Sequence, residues 1–346
     1  MHRICGSLAA NGYEVVLVGR NLKTSIPLEQ RNFIQKRIRC IFNRGAAFYA
    51  EYNLRLFFFL LFKKIDGICA IDLDTILPCT FISKLKGIPG IYDAHEYFTE
   101  LKEVMARPKI QKFWKRIEKI SVPKFQYGYT VSPGIAEEFK KKYGCNYEVI
   151  RNLPVLKPLE SNSASEQTLL YQGAVNEGRG FEYLIPAMKH IPYKLIICGD
   201  GNFMGKLKQL IKDAGVENRI ELKGMLPPAQ LWEEAQNATL AVGLAEKEGL
   251  NQYLALPNKF FEYMHSILPQ LAMNFPEYKK INIHFEVAVL IDELTTGGIA
   301  AVINRIMKDD VLLSRLKKNC IEARKIYCWQ NEEKKLIHFY DQIFKA

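Results

Sequence analysis

Short apolar runs ending at a glycine or a polar residue alternate with helix-length stretches, and they do so in two consecutive series. Tyr13 to Gly19, Asp66 to Asp72, Gly90 to Asp93 and Tyr127 to Ser132 make the first series. Thr168 to Gly173, Lys194 to Cys198, Ile220 to Leu222, Thr239 to Val242, Gln270 to Met273 and Val287 to Ile291 make the second. Runs this short and this apolar fit strands buried on both faces, which requires parallel sheets covered by helices above and below. The intervening stretches, Gln30 to Lys64 and Leu77 to Lys86 among them, have the length of the covering helices. Ser132-Pro133 opens another, with Ser132 as its cap and Pro133 in its first turn. A chain of 346 residues is long enough for two such α/β domains.

The join is marked by composition. Asn152-Leu153-Pro154-Val155-Leu156-Lys157-Pro158 and then Glu160 to Ser165 combine two prolines with a serine-rich stretch. The expected domains are therefore 1–155 and 166–330, with 331–346 as a closing helix. Two consecutive α/β units put a cleft between two sheets, and ligands of such folds sit outside the carboxyl ends of the strands.

Charge divides the same way. Residues 1–155 hold 25 Lys and Arg against 14 Asp and Glu, whereas 156–346 hold 23 of each, so the first half carries the whole net charge of +11. An anionic partner for that half is implied: a membrane, a phosphorylated acceptor or nucleic acid. Nucleic acid is the weakest of these, because no recognisable binding motif accompanies the charge. The stretch 108–126 concentrates Lys109, Lys112, Lys115, Arg116, Lys119 and Lys124, with Ile110, Phe113, Trp114, Ile117 and Ile120 at helical spacing. Such a helix either lies on an anionic membrane or turns its apolar stripe to the core; with the charge confined to this half, we expect peripheral membrane contact. Asn11, Gly12 and Glu14 interrupt any signal-peptide core, and the longest apolar run, Leu56 to Phe62, falls far short of the roughly 20 residues that span a bilayer. The expected location is the cytoplasm or the inner face of the membrane. The eight cysteines are scattered without a CxxC pair, which fits buried free thiols. The histidines show no metal-ligand spacing, and neither metal nor cofactor is expected.

Three segments carry candidate chemistry. Gly173-Ala174-Val175-Asn176-Glu177-Gly178-Arg179-Gly180 follows a strand and opens the helix Phe181 to His190. Its glycines allow close backbone approach, helix-start amides present donors, and Arg179 adds a charge-assisted phosphate contact. An ordinary strand-to-helix turn has similar glycines. Cys198-Gly199-Asp200-Gly201 ends the next strand and fits either a tight turn or a ligand-facing loop. Pro257-Asn258-Lys259-Phe260-Phe261-Glu262 starts a helix with Lys259 and Glu262 on one face. That pair is either a solvated ion pair or a ligand site in which a carboxylate accepts from two ribose hydroxyls. Tyr92-Asp93-Ala94-His95-Glu96 places a histidine after a strand; it is a satisfied structural residue or one oriented for function by its flanking carboxylates. Asp72 and Asp74 are expected to cap the helix that follows them.

In order and spacing, Gly173 to Gly180, Cys198 to Gly201, Leu222-Lys223-Gly224, Glu248-Gly249 and Pro257 to Met264 resemble the donor-binding domain of retaining GT-B glycosyltransferases of family 4 (group 1). The resemblance implies two Rossmann-like domains with parallel sheets facing a cleft, the first binding the acceptor and the second a nucleotide-sugar. It implies that Arg179 and Lys259, with Gly173, Gly180, Gly199, Gly201 and Asn258, hold the donor diphosphate, and that Glu262 holds the ribose. Glu248, Gly249, Leu250 and Asn251 then lie by the transferred sugar, where His95 joins them. Residues 331–346 would pack back on the first domain. Two departures stand out. The family places two glutamates eight positions apart, and eight before Glu262 stands Leu254, so Glu248 needs six extra residues in the loop. The family's first strand precedes a helix resembling His2 to Asn11, so this sequence reads as lacking that strand.

The expected activity is transfer of a hexose from a UDP- or GDP-sugar to a glycan or lipid-linked acceptor, as in cell-surface polysaccharide synthesis. The rival readings are a nucleotide-sugar epimerase or hydrolase, and a non-catalytic partner subunit.

Overall fold

A computed structural model describes residues 1–159 and 167–345. The serine-rich stretch Glu160 to Ser165 lies outside the described residues. The chain divides into two compact units, Met1–Arg151 with Gln330–Ala346, and Asn152–Trp329.

The first unit holds strands β1 (Val16–Asn21), β2 (Ile34–Arg39), β3 (Ile68–Ile71), β4 (Gly90–Ala94), β5 (Tyr127–Thr130) and β6 (Glu148–Val149). β1 and β2 form a parallel two-stranded sheet; β3-β4-β5-β6 form a separate parallel sheet in that order. Burial differs between them. Ala70, Ile91, Tyr92, Ala94 and Tyr129 of the four-stranded sheet are shielded from water, while Val16 and Ile34 are exposed and the rest of β1 is half-buried. The stretch from Gln30 to Lys64 is not one helix: β2 occupies its start and the helix runs Gly45–Leu61. The β2 sequence gives no apolar run because β2 is an edge strand, in which Lys36 and Arg39 face water while the backbone pairs with β1.

The expected helix over 108–126 is Pro108–Ser121 and a following turn, and its apolar stripe divides. Trp114 and Ile117 enter the core, where Trp114 meets Tyr49 and Phe98 edge-on, whereas Ile110, Phe113 and Ile120 stay exposed. Buried Glu118 on this helix accepts from Thr99 at 2.6 Å, Lys142 at 2.7 Å and Tyr143, tying it to helix Pro133–Tyr143. That helix is capped by Ser132, whose hydroxyl accepts from the Ile135 amide at 3.3 Å. The last helix, Trp329–Phe344, contributes to this unit through Tyr340 and Phe344 against Tyr13, whose hydroxyl donates to Asp341 at 2.7 Å.

The second unit is one parallel sheet in the order β12-β11-β10-β7-β8-β9. Its strands are β7 (Thr168–Gln172), β8 (Lys194–Cys198), β9 (Ile220–Gly224), β10 (Leu240–Gly243), β11 (Gln270–Met273) and β12 (Ala288–Ile291). Every residue of β7, β10 and β11 is buried, as a sheet covered on both faces demands. Core side chains include Leu169, Leu195, Ile197, Phe181, Leu184, Phe260, Ile299 and Ile303. The strand order reverses between β7 and β10, so the loops leaving their carboxyl ends diverge and leave room for a ligand.

All eight cysteines are unpaired, six of them buried. Among the described residues, no helix is long and apolar enough to cross a membrane, and no group of three or more His, Cys, Asp or Glu side chains is arranged to hold a metal ion.

Candidate donor and acceptor sites

The glycine loop after β7 is built against the end of β8. The Gly173 amide donates to the Cys198 carbonyl at 2.9 Å and the Val175 amide to Asp200 at 3.0 Å, extending the ladder past the strands. Here the backbones come too close for side chains. A Cβ on Gly199 would stand 1.9 Å from the Gly173 carbonyl oxygen, and one on Gly201 would stand 2.3 Å from that of Val175. Gly180 precedes helix Phe181–Ala187, packed against Leu244 beyond β10.

Over this loop lies helix Asn258–His265, opened by Pro257. Phe260, Phe261, Tyr263 and Met264 pack inward, leaving Asn258 exposed and Lys259 and Glu262 half-buried on the other face. Lys259 runs its stem past Gly173 and sets its ammonium 4.2 Å above the Tyr171 ring. Burial, followed by repulsion from Arg179, holds its pKa well below the ordinary lysine value, with Glu262 pulling the other way. Neither Arg179 nor Lys259 forms an ion pair with a carboxylate among the described residues. Two neighbouring cations without an ion-paired carboxylate favour an anion.

Glu262 is held from below. Gln172, the last residue of β7, donates through its side-chain amide to Glu262 Oε2 at 2.5 Å, and its backbone N–H donates to the Tyr263 hydroxyl at 2.8 Å. The segment after β10 is tied to the same loop. The Glu246 amide donates to the Gly178 carbonyl at 2.9 Å, and Gln252 donates to the carbonyls of Gly178 and Glu246, both at 2.8 Å. Gln252 belongs to the short helix Leu250–Leu254, which holds Leu250 and Asn251 and begins after Gly249; Glu248 is exposed just before it. That helix lies between Glu248 and the helix that carries Glu262. Gln172, Tyr171 and Gln252 were not singled out from the sequence. Gln172 alone carried a signal, as a polar residue closing an apolar strand.

His95 belongs to the first unit, after β4. Its ring Nε2 lies 3.2 Å from buried Asp93 Oδ2 and 3.0 Å from Met1 Sδ, and its backbone amide donates to Asp72 Oδ1 at 2.9 Å. Asp93 also accepts from the Tyr129 hydroxyl at 2.9 Å. Burial depresses the ring's pKa, but the hydrogen bond with Asp93 and the charges of Asp93 and Asp72 outweigh it and leave it raised. Asp72 is pushed up to about 7 by burial and by the nearby Asp93, Glu96 and Asp74 carboxylates, against the pull of His95. Burial takes Asp74 to about 6. Asp72 is not a side-chain cap as expected: no cap hydrogen bond forms at the turn Leu73–Thr75, and its carboxylate goes to the His95 amide instead. At a φ of 54°, its backbone is turned out of the usual capping geometry.

Comparison with known proteins bears on the family and the fold. Residues 158–325 match the family model "Glycosyl transferases group 1". Sucrose-phosphate synthase from Thermosynechococcus elongatus superposes with a TM-score of 0.82 at 17% identity, over 99% of this chain and 92% of that one. Anabaena HepE in complex with UDP and glucose gives 0.76 at 14% identity, over 98% and 95%. WaaG, a glycosyltransferase involved in lipopolysaccharide biosynthesis, gives 0.72 at 17% identity, over 99% and 95%. A search of curated protein sequences finds no match. The fold is that of the GT-B glycosyltransferases. The second unit carries the group 1 domain, and the protein is a glycosyltransferase.

Proposed function

We propose that this protein is a retaining hexosyltransferase of the family 4 type that takes its sugar from a UDP- or GDP-activated donor. The observation that carries this reading is the cation pair at the reversal point of the second sheet: Arg179 acts on half-buried Lys259 above a loop too tight for side chains. Neighbouring structures containing UDP point to the same ligand class. In this reading Arg179, Lys259 and the amides around Gly173, Gly180, Gly199, Gly201 and Asn258 meet the diphosphate charge without a metal ion, and they stabilise the leaving group as it gains charge. Glu262 accepts from the ribose hydroxyls. Glu248, Gly249, Leu250 and Asn251 face the transferred sugar; the first domain binds the acceptor, and there His95, oriented by Asp93, is the candidate catalytic group.

Calorimetric titration with UDP and GDP tests the donor site. One nucleotide should bind, and Glu262→Ala should weaken it at least about tenfold, since hydrogen bonds to a charged group are lost. A folded protein that binds neither nucleotide sinks the reading in favour of a non-catalytic subunit. Product analysis separates transfer from epimerisation or hydrolysis, which consume donor without an acceptor.

The acceptor we propose is a glycan, lipid-linked and met at the inner face of an anionic membrane. Exposed apolar side chains on three neighbouring helices support this: Leu54 and Phe58 on Gly45–Leu61 with adjoining Phe62, Phe81 and Leu85 on Ile76–Lys86, and Ile110, Phe113 and Ile120 on Pro108–Ser121. Lys63, Lys84, Lys86, Lys109, Lys112 and Arg116 stand on or beside the same helices. The protein should sediment with anionic vesicles and be released by salt; equal binding to neutral vesicles rules out the electrostatic part.

A further inference from the structure

We infer that Gln172 is a positioning residue of the nucleotide site, setting the direction and charge of the Glu262 carboxylate and through it the affinity for a ribose diol. The inference rests on the donor-site reading above and adds to it a residue outside the glycine loop and the Lys259–Glu262 helix.

Gln172 is 3% exposed at the end of a fully buried strand whose middle is apolar. A polar side chain buried there is costly unless it is hydrogen-bonded. It makes one such bond, from Nε2 to Glu262 Oε2 at 2.5 Å, while its backbone N–H meets the next residue of the helix, Tyr263. β7 therefore clamps two consecutive helix residues from one position. Turning the amide over would set its carbonyl oxygen against the carboxylate, so Glu262 dictates which way it faces. The consequence is that Gln172 Oε1 is buried with no partner among the described residues.

A residue kept only for packing has no need of this arrangement, since leucine or methionine would fill the volume and leave no acceptor unsatisfied. The orphaned oxygen is what the fold tolerates in order to aim an N–H at Glu262. An N–H directed at a carboxyl oxygen favours the ionised form, and it limits the rotamers of a side chain on the outward face of its helix. A carboxylate fixed in one direction accepts from two vicinal hydroxyls without first being ordered by the ligand.

The test is calorimetry on the full chain with whichever of UDP and GDP binds, and with its 2′,3′-dideoxy counterpart. Gln172→Met should weaken the ribonucleotide about tenfold, leave the dideoxy compound unchanged, and add nothing to Glu262→Ala. Equal loss on both ligands, additive loss with Glu262→Ala, or no loss overturns the inference. If Glu262→Ala itself changes nothing, the ribose assignment falls, and the role of Gln172 falls with it. Thermal unfolding confirms that each variant is folded. Should Gln172→Met not fold, Gln172→Asn keeps the amide but draws it back from Glu262, and the same comparison applies.

Discussion

The two units solve one problem, the burial of a parallel sheet, with different completeness. In the second, six strands pair without interruption, and the reversal of strand order falls between β7 and β10, which are hydrogen-bonded to each other. The loops that diverge there are anchored on both sides, one by the Gly173 ladder and the other by Glu246 and Gln252 on Gly178. In the first, β1 pairs only with β2, and β3 begins a separate sheet, so each presents one edge without a neighbouring strand among the described residues. What holds the β1–β2 ribbon is contact from helices: His2 meets the Phe33 ring at 6.1 Å, Arg20 lies 3.8 Å over the Phe48 ring, and Asn32 donates to the Gly6 carbonyl at 3.0 Å. The difference teaches that a closed reversal point is what gives loop residues fixed positions, because the strands beneath them cannot slide.

The largest effect expected from this contrast is in stability. Leu195 of β8 is fully buried, and Leu195→Ala should cost about 2–5 kcal/mol. Leu17 of β1 is only half-buried, and Leu17→Ala should cost about 1 kcal/mol or less. Denaturant unfolding measures both, and native-state hydrogen exchange assigns the loss to one unit or the other, with β1 and β2 amides exchanging before those of β7, β8 and β10. Equal costs, or slow exchange in the ribbon, would break the comparison.

The same contrast explains what the sequence revealed. β7, β8, β10 and β11 are apolar along most of their length, with polar residues confined to their ends, so burial on both faces wrote itself into their composition. β2 did not, because Lys36 and Arg39 point to water and only the backbone takes part in pairing. The candidate donor-site segments were legible because their constraints are local: Gly199 and Gly201 exist where backbones touch, and Pro257 starts the helix that shows Lys259 and Glu262 on one face. Gln172 was not, because its partner lies 90 positions away and one polar residue in a strand has many meanings. Asp72 was misassigned as a cap for the same reason: its partner is the amide of His95, which only the pairing of β3 with β4 brings near. The amphipathic helix was half legible, since periodicity shows which residues share a stripe but not where burial stops along it.

A smaller effect, but one with opposite sign in the two units, is expected from pH. In the first unit Asp72 and Asp74 are raised to about 7 and about 6, and His95 is raised as well. A carboxyl raised by folding contributes its full stability below its unfolded pKa, near 4, and loses it as pH climbs through the folded value; His95 acts in the same direction, losing its contribution above its ordinary range. The first unit should therefore lose stability between about pH 4 and 7. Asp72→Asn, which keeps an oxygen for the His95 amide, should flatten that slope and add on the order of 1 kcal/mol at pH 8 while changing little at pH 4. Lys259 runs the other way. Its pKa is depressed, so the charged form opposes folding at neutral pH, and the opposition fades as pH rises toward the unfolded lysine value. Lys259→Met should stabilise the second unit at pH 7 by about 1 kcal/mol or less, and a bound nucleoside diphosphate should offset the same opposition in the native protein. Thermal unfolding across pH, with hydrogen exchange assigning each transition, measures both trends. Parallel trends in the two units would mean that Lys259 is not held against its charge, and the case for an anion between it and Arg179 would lose its electrostatic basis.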